Sequence, residues 1–313
     1  MKNKYQTISV IICTYNRKKW VEKLLVSISE QTKKPKEILI IDASIDVIDY
    51  AIPKTIDVNI IKSNKIQLTY QRNIGVGISS GDIILHLDDD TYLKPDFFDS
   101  IYRFFNDNNN KNIGAISGYV KNQWGLKKYN PDKFMRFIKW LGIYDGDFSP
   151  GSVSPSGLFI ELGSLEPQIG FYKTDFISGC SFAVRREVYD EYKHPEHINK
   201  YGGEDKAFSR MIAPNWEMGI CFDASLDHYS APGGARQTNY SETKSTVKIH
   251  MIIQNMYGIK GSSTLRLRLY YVLIALKLYI ISVLMFISIY KIKKSFRWFM
   301  RASGYLVGAI APV

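Results

Sequence analysis

The chain has 313 residues, of which 45% are hydrophobic and 13% aromatic. This apolar content excludes a disordered chain, and the length allows one large domain or two ordinary ones. The three cysteines, Cys13, Cys180 and Cys221, are too widely spaced for a disulfide framework or a Cys-based zinc site. We therefore expect small buried thiols and a reducing compartment.

The formal net charge of +11 is concentrated near the C-terminus. Residues 243–313 contain eleven Lys or Arg and no Asp or Glu, whereas residues 1–242 contain 30 of each sign. Because these cations lie beside the most apolar stretch of the chain, they indicate an anionic membrane surface as partner, and no nucleic acid.

Short β-branched runs alternate with segments of helical spacing over the first 120 residues. In chain order, the predicted elements are strand 8–13, helix 18–30, strands 37–41 and 58–61, helix 71–79, strand 83–87, helix 96–105 and strand 113–120. The run 8–13 is also too short for a signal-peptide core. This alternation predicts an α/β fold, with a mostly parallel sheet flanked by helices.

The segment 121–173 loses this alternation and is predicted to form irregular structure over the sheet. Regular structure returns with a strand-like run at 176–184, a helix near 186–192, a helix opened by Glu204 and Asp205, and a strand at 218–222. A Gly/Pro-containing loop at 227–236 follows.

An apolar helix is predicted at 269–290, where the only charge in 22 residues is Lys277. At about 1.5 Å per residue it is long enough to cross a bilayer, but a central Lys costs about 2.5–3.5 kcal/mol on insertion scales. Cations flank both ends, which suits a helix lying in the headgroup plane equally well. A second apolar piece at 296–313 carries Trp298 and Tyr305 as interface anchors, and packing of both helices on protein is the remaining alternative.

Polar clusters follow three of the predicted strands. They are Thr14-Tyr15-Asn16-Arg17, Asp42-Ala43-Ser44 and Asp88-Asp89-Asp90. The carboxyl ends of parallel strands share one edge of a sheet, where open α/β sheets bind their ligands. Three adjacent carboxylates repel one another unless a cation neutralises them, which favours Mg²⁺ or Mn²⁺ with a diphosphate. Neither G-x-x-x-x-G-K-[ST] nor a G-x-G-x-x-G after the first strand is present, so a glycine cradle for phosphate is excluded.

Six motifs over residues 8–236 together resemble those of family 2 glycosyltransferases with the GT-A fold. They are the run from Ser9 to Arg17, Asp42-Ala43-Ser44, the run from Gln71 to Gly75, Leu87-Asp88-Asp89-Asp90 with Pro95-Asp96, Gly202-Gly203-Glu204-Asp205 with Arg210, and His228 with Gly233-Gly234-Ala235-Arg236. One departure is Ala43, where the family usually has a second acidic residue, and it leaves the donor nucleotide open.

The resemblance implies a role for each of these side chains. Asp90, Asp88 and His228 would bind Mn²⁺ or Mg²⁺, and Asp205 would be the general base, with Glu204 as the alternative base or as an acceptor-positioning group. The implied nucleotide-sugar-binding residues are Thr14, Tyr15, Asn16, Arg17, Asp42, Ser44, Arg72, Asp88, Asp89 and Arg236. Without the resemblance, Glu204 and Asp205 would be ordinary helix-start acids and His228 a structural histidine.

The implied function is metal-dependent, inverting transfer of a sugar from a UDP-, GDP- or dTDP-sugar to a hydroxyl of a glycan or lipid-linked acceptor, in polysaccharide biosynthesis. Trp124, Trp140 and Tyr144 either stack on that acceptor or belong to the core. A sugar nucleotidyltransferase and an inactive membrane-bound scaffold are the alternatives. The first would need a Gly-rich segment after the first strand, and the second would not need Asp88–Asp90 or Asp205.

The implied organisation is a GT-A domain at 1–242 and a basic, apolar, membrane-associating helical segment at 243–313. The GT-A domain would consist of a nucleotide-binding half at 1–120 and an acceptor-side half at 121–242. The chain would act at the cytoplasmic face of the cell membrane, either peripheral or partly inserted through its C-terminus. A homo-oligomer formed through that segment is left open.

Overall fold

A computed structural model of the chain describes residues 6–127, 130–198, 203–231, 239–258, 264–287 and 292–311. It divides into two units, one formed by residues 1–129 and 161–234 and the other by residues 130–160 and 235–313. The described strands are β1 Ile8–Thr14, β2 Glu37–Asp42, β3 Asn59–Lys62, β4 Ile83–Asp88, β5 Thr91–Leu93, β6 Ile113–Val120, β7 Phe171–Thr174, β8 Ser181–Arg185 and β9 Glu217–His228. The described α-helices are α1 Lys18–Ser29, α2 Leu68–Ile78, α3 Phe97–Asn106, α4 Lys133–Trp140, α5 Arg186–Glu191, α6 Glu204–Ile212, α7 Asn239–Tyr257, α8 Thr264–Ile287 and α9 Ile292–Ile310.

The first unit is built on one sheet with the strand order β3-β2-β1-β4-β8-β6-β9-β5, and β7 pairs with β9. Strands β3, β2, β1 and β4 are mutually parallel, as is the pair β6–β9. The pairs β4–β8, β6–β8, β5–β9 and β7–β9 are antiparallel. The α/β fold class predicted from the sequence is confirmed, with the parallel half of the sheet built from the first four strands that were predicted.

The core of the first unit lies between this sheet and its helices. The apolar side chains of β1, β2, β4 and β8 are almost completely buried, as expected for strands covered on both faces. One cluster joins Ile11, Ile84 and Phe182 from the sheet to Val188 of α5 and Phe208 of α6. This packing fixes the strand ends, and it also fixes the helix whose first turn carries Glu204 and Asp205.

Strand β9 is longer than the predicted strand 218–222 and continues to His228. Beyond Phe222 its side chains alternate between buried and less buried positions, which is the pattern of a strand with one covered face. The prediction that His228 lies in a loop is therefore wrong. Asp223 and Asp227 interrupt the apolar run and hide the continuation of the strand.

The segment 121–173 contains more regular structure than predicted, namely α4, β7 and a 3₁₀ turn at Leu162–Ser164. Trp124 and Tyr144 are buried, whereas Trp140 is 78% exposed. Trp124 and Tyr144 therefore belong to the core, which was one of the two interpretations for these aromatic residues. The three cysteines are free thiols, as expected, and burial raises the pKa of Cys13 and of Cys180 to about 12.

The second unit contains α4, α7, α8 and α9. Helix α7 runs across the boundary predicted between residues 242 and 243, and that division stays a prediction. Helices α8 and α9 pack together through hydrogen bonds between Ser282 and Ser295 and between Tyr279 and Ser303. Among the described residues, α8 is the one helix long and apolar enough to cross a membrane.

Candidate active site

The register of the parallel strands brings the predicted polar clusters together at one edge of the sheet. Thr14 at the end of β1 is level with Asp42 at the end of β2, and Cys13 is level with Asp88 at the end of β4. Because β4 ends at Asp88, the next two carboxylates form the turn into β5. The local fold therefore presents all three aspartates at the carboxyl edge of the sheet.

Asp88, Asp90 and His228 form a cluster whose ligand atoms lie within 4.8 Å of one another. The pairing of Thr91 with His228 places the histidine beside the acidic turn, and His228 Nε2 lies 3.1 Å from Asp90 Oδ1. Two carboxylates and an imidazole are a donor set suited to Mn²⁺ or Mg²⁺. The residues present therefore fit a divalent ion, and the cluster is a candidate metal site.

The environment of Asp90 keeps this carboxylate ionised. Burial raises its pKa, but hydrogen bonds from His228 and from the backbone N–H of Ala231, together with the Arg17 charge, bring the value to about 2. Ala231 N donates to Asp90 Oδ2 over 2.8 Å, and Arg17 Nη2 donates to the same oxygen over 2.9 Å. These two contacts orient Asp90 so that its other oxygen faces His228.

Asn122 holds the backbone of His228. His228 N donates to Asn122 Oδ1 over 3.0 Å, and Asn122 Nδ2 donates to His228 O over 3.1 Å. The amide side chain thus acts as a strand partner for the last residue of β9. Asn122 was not predicted as a site residue, because nothing in the local sequence connects it with a histidine 106 positions away.

Arg17 joins the first strand end to the acidic turn. Its Nη1 donates to Asp89 Oδ1 over 2.6 Å, while Nη2 contacts Asp90 and also the carbonyl of Ala231. Thr14 Oγ1 donates to the second oxygen of Asp89 over 2.8 Å. Burial nevertheless raises the pKa of Asp89 to about 7. The structure thus brings Thr14, Arg17 and Asp89 together, as the predicted nucleotide site requires.

Asp42 and Ser44 shape the neighbouring loop. Ser44 N and the Tyr50 hydroxyl donate to the two Asp42 oxygens over 2.7 and 3.0 Å, and Ser44 Oγ accepts from Asn16 N. Asn16 has a φ of +52°, a left-handed conformation that Asn adopts more readily than most residues. Tyr15 precedes it and is half-buried. These residues form a fixed turn beside the aspartates.

Gln71 ties the ends of two strands together and was not singled out as a functional residue from the sequence. Its side-chain amide is buried and donates to the carbonyls of Thr14, over 3.1 Å, and of Ile41, over 2.7 Å. It therefore fixes the spacing between β1 and β2 at the edge where the polar clusters begin.

Arg72 is the buried cation of the site, with only 2% of its surface exposed. It lies 3.4 Å from Glu204 Oε1 and 3.7 Å from Asp88 Oδ1, and it donates to the Gly179 carbonyl over 3.0 Å. The guanidinium also lies over the Phe182 ring. Burial lowers the pKa of Arg72, but the carboxylates around it raise the pKa by a larger amount. The pKa therefore lies above its ordinary value, and Arg72 stays charged. It connects Asp88 of the candidate metal site to the first turn of α6.

Glu204 and Asp205 occupy the first turn of α6, directly after Gly203, whose φ of +99° suits glycine. Asp205 Oδ2 accepts from Gly179 N over 2.9 Å, and Asp205 Oδ1 accepts from Lys206 N over 2.8 Å. Burial, followed by the Glu204 charge, raises the pKa of Asp205 to about 6. A carboxyl group with this pKa is mostly ionised at neutral pH and is a stronger base than an ordinary aspartate.

Gly179 contacts both Arg72 and Asp205 and was not predicted as a site residue. Its carbonyl accepts from Arg72, its N–H donates to Asp205, and a Cβ at this position would lie 3.1 Å from Asp205 Oδ2. Glu204 Oε2 is buried and makes no hydrogen bond among the described residues, so it is available to a ligand. Arg236, the remaining predicted donor-binding residue, lies outside the described residues.

Comparison with known proteins identifies the class. Residues 9–193 match the family described as Glycosyl transferase family 2, and this match covers more than half of the chain. The chain therefore belongs to glycosyl transferase family 2, a family of glycosyltransferases, as the six motifs predicted.

Two curated proteins illustrate the relationship. A glucosyl-dolichyl phosphate glucuronosyltransferase of Haloferax volcanii is 24% identical over 141 residues, which cover 43% of this chain and 44% of that protein. An uncharacterized glycosyltransferase of Haemophilus influenzae is 32% identical over 190 residues, which cover 58% of this chain and 60% of that protein. The chain spans 34% to 60% of the length of the curated relatives it matches.

A solved structure shows the same fold. The mannosyltransferase PcManGT from Pyrobaculum calidifontis, in complex with GDP-Man and Mn²⁺, has a TM-score of 0.55 and 14% identity, covering 98% of this chain and 86% of that one. At this identity the likeness establishes the fold alone, and it confirms the GT-A-like architecture.

Proposed function

We propose that the chain transfers a sugar from a nucleotide-sugar donor to a hydroxyl group of a glycan or lipid-linked acceptor, with inversion at the anomeric carbon. The observation that carries the proposal is the connection between two acidic groups in a family 2 domain. Buried Arg72 contacts Asp88 of the metal cluster on one side and Glu204, next to Asp205, on the other. A donor diphosphate and an attacking hydroxyl need these two kinds of group close together.

Asp88, Asp90 and His228 would hold Mn²⁺ or Mg²⁺, which when bound supplies Lewis-acid stabilisation of charge on the departing nucleoside diphosphate. PcManGT was solved with Mn²⁺ and a GDP-sugar, which supports this choice of ion. UDP-, GDP- and dTDP-sugars all fit the proposal, since Ala43 stands where the family usually has a second acidic residue and leaves the donor nucleotide open.

The nucleoside would lie along the first two strand ends. Thr14, Tyr15, Asn16, Arg17 and the loop from Asp42 to Ser44 follow those strands and would contact base and ribose, together with Arg72 and Asp89. Arg17 already holds Asp89 and Asp90 in place, so its further role is to offset negative charge where the diphosphate arrives. Arg236 stays a candidate for the same diphosphate.

Asp205 would accept the proton of the attacking hydroxyl. Its raised pKa of about 6 favours this role, whereas one oxygen of the neighbouring Glu204 is already occupied by the Arg72 guanidinium, 3.4 Å away. Glu204, with its unpaired oxygen, would instead position the acceptor or the donor sugar. Attack on the face opposite the leaving diphosphate gives inversion.

A thermal-shift screen of nucleotide sugars with Mn²⁺ first identifies the donor. Turnover of that donor is then measured for the wild-type chain and its variants. The variant Asp205→Asn should still bind the donor and should lose about 10²–10⁴-fold in kcat, the usual contribution of a general base. Asp190→Asn, at an exposed carboxylate on α5, is the matched control and should keep full activity. If Glu204→Gln is the inactive variant and Asp205→Asn is active, the two assignments are reversed. If the wild-type chain binds no nucleotide sugar, the inactive-scaffold alternative is supported.

The membrane is the second proposed partner. The excess of cations over residues 243–313 and the apolar surface of α8 support association with the cytoplasmic face of the cell membrane. The Haloferax volcanii relative is named for a dolichyl phosphate substrate, which agrees with a lipid-linked acceptor.

A further inference from the structure

Helix α8 carries a stripe of exposed apolar residues along one face. The stripe consists of Leu265, Leu269, Leu276, Ile280, Val283 and Leu284, each of which is between 43% and 63% exposed. The opposite face of the helix, with Leu267, Tyr271 and Ala275, is buried against the rest of the second unit. A surface helix of a water-soluble protein carries polar residues at such positions, so the stripe needs a partner.

One flank of α8 makes polar contacts with the segment around α4. Arg266 Nη1 lies 3.0 Å from Asp145 Oδ2, and Lys277 forms an ion pair with Asp132 and lies over the Phe134 ring. Asp132 is also the N-cap of α4, where it accepts a hydrogen bond from Met135 N. The contacts extend from Arg266 to Lys277, which is about 16 Å along α8.

These contacts are incompatible with α8 as a membrane-spanning helix. Its 24 residues correspond to about 36 Å, so spanning a core of about 30 Å would use almost the whole helix and place Lys277 near the middle. Asp132 and the first turn of α4 would then also lie in the hydrocarbon. Moving this ion pair, and the backbone N–H groups of the first helical turn, into hydrocarbon costs several kcal/mol per group.

The stripe has suitable neighbours for a position in the membrane plane. Successive residues of an α-helix are rotated by about 100°, which places the stripe between two flanks of α8. One flank contacts the α4 segment, and Arg268 and Tyr279 on the other flank contact α9. Helix α4 exposes Phe137 and Trp140, whose rings stack on each other, and its C-cap residue Leu141 is also exposed. Exposed aromatic residues of this kind are typical of the headgroup region.

Helix α9 adds both apolar surface and charge. It exposes Phe296 and Phe299, and Lys294 and Arg297 are exposed on the same turns. Together with the absence of acidic residues from 243–313, this composition is complementary to anionic lipid headgroups.

We propose that the second unit binds one leaflet of an anionic membrane with α8 lying in the membrane plane, its stripe flanked by the exposed apolar residues of α4 and α9. Lys277 stays paired with Asp132 on the flank of the helix, and α8 does not cross the bilayer. This inference rests on the membrane association proposed above and specifies how the chain meets the lipid.

The test measures depth at three points of the stripe. Single cysteines at Leu265, Leu276 and Leu284 are labelled with the fluorophore NBD, and the full chain is mixed with phosphatidylglycerol–phosphatidylcholine vesicles containing lipids brominated at a shallow or a deep position. The unsubstituted chain, labelled in parallel, measures any reaction of the three native thiols. A label at Ile169, which is 93% exposed in the first unit, is the control and should stay in water.

An in-plane helix predicts that all three labels shift to the blue and are quenched equally, by the shallow bromines more than by the deep ones. A Leu276 label at the bilayer centre, with Leu265 and Leu284 labels shallow, would mean that α8 crosses the membrane and would overturn the inference. So would the absence of a spectral shift at all three positions.

A second measurement separates this inference from the proposed enzyme activity. The double variant Leu276→Glu, Ile280→Glu should weaken vesicle binding by at least about tenfold, because two apolar side chains that would enter the lipid are replaced by charged ones. Turnover of a nucleotide sugar in vesicle-free solution should be unchanged. Vesicle binding at the wild-type level in this variant would contradict the membrane inference alone, whereas a wild-type chain without turnover would contradict the proposed function alone.

Discussion

Replacement of Arg72 by methionine tests whether a buried charge connects the two halves of the site. The variant Arg72→Met keeps most of the side-chain volume but removes the guanidinium that faces Glu204, which is only 7% exposed, and Asp88. Removal of one partner from a buried ion pair costs about 3–5 kcal/mol, because the other charge stays buried without compensation. For a unit of this size, we expect the melting temperature to fall by about 6–20 °C.

The assay is a double-mutant cycle followed by thermal and denaturant unfolding. Arg72→Met, Glu204→Gln and the double variant are compared, and the double variant should be more stable than the sum of the single effects predicts, by about 1–3 kcal/mol. Arg103→Met is the control, since Arg103 pairs with Asp99 at the surface and should cost less than about 1 kcal/mol. Additive costs of the two single variants would refute the coupling between Arg72 and Glu204.

Three further predictions concern the base and the metal site. Gly179→Ala places a Cβ against Asp205 Oδ2, so kcat should fall by about tenfold or more with donor affinity kept; an unchanged kcat would argue against this contact. Because burial raises the pKa of Asp205 to about 6, kcat at saturating donor should decrease about tenfold for each pH unit below 6, where the carboxylate becomes protonated; a profile flat down to pH 4.5 would place the base elsewhere. Asn122→Ala removes the two Asn122 bonds to the His228 backbone, while Gln123 Nε2 still donates to the His228 carbonyl, so Mn²⁺ binding should weaken about tenfold by calorimetry; wild-type affinity would exclude this supporting role.

The parallel half of the fold could be predicted because each of its strands is a buried apolar run with a polar end. Strands β1, β2 and β4 all begin within one residue of their predicted positions and end one residue later than predicted. The rule that parallel strands present their carboxyl ends at one edge then placed Thr14, Asp42 and Asp88 together, and the register confirms it.

The antiparallel additions could not be predicted in the same way. Strand β5 has only three residues and follows three aspartates, so it has no periodicity to detect. Strand β7 is an edge strand with half-exposed residues, and β9 is interrupted by two aspartates that face away from the core. The position of His228 depends on the pairing of β5 with β9, which is a contact between residues about 137 positions apart in the sequence and leaves no local pattern.

The residues that support the site were also missed for a physical reason. Gln71, Asn122 and Gly179 act through hydrogen bonds to backbone or carboxylate groups that are 26 to 106 positions away. Amides and glycines of this kind occur throughout a sequence, so only the fold shows which of them contact the site. The acidic residues were found because adjacent carboxylates are unusual unless a cation is nearby.

The most direct test of the central claim is the binding of a nucleoside diphosphate with and without a divalent ion. Calorimetry with UDP or GDP, on the full chain, should give binding that requires Mn²⁺ and that Asp90→Ala and His228→Ala both abolish, while circular dichroism shows that the variants stay folded. Equal affinity in the presence of a chelator, or in Asp90→Ala with Mn²⁺, would contradict a metal-dependent site at the edge of this sheet.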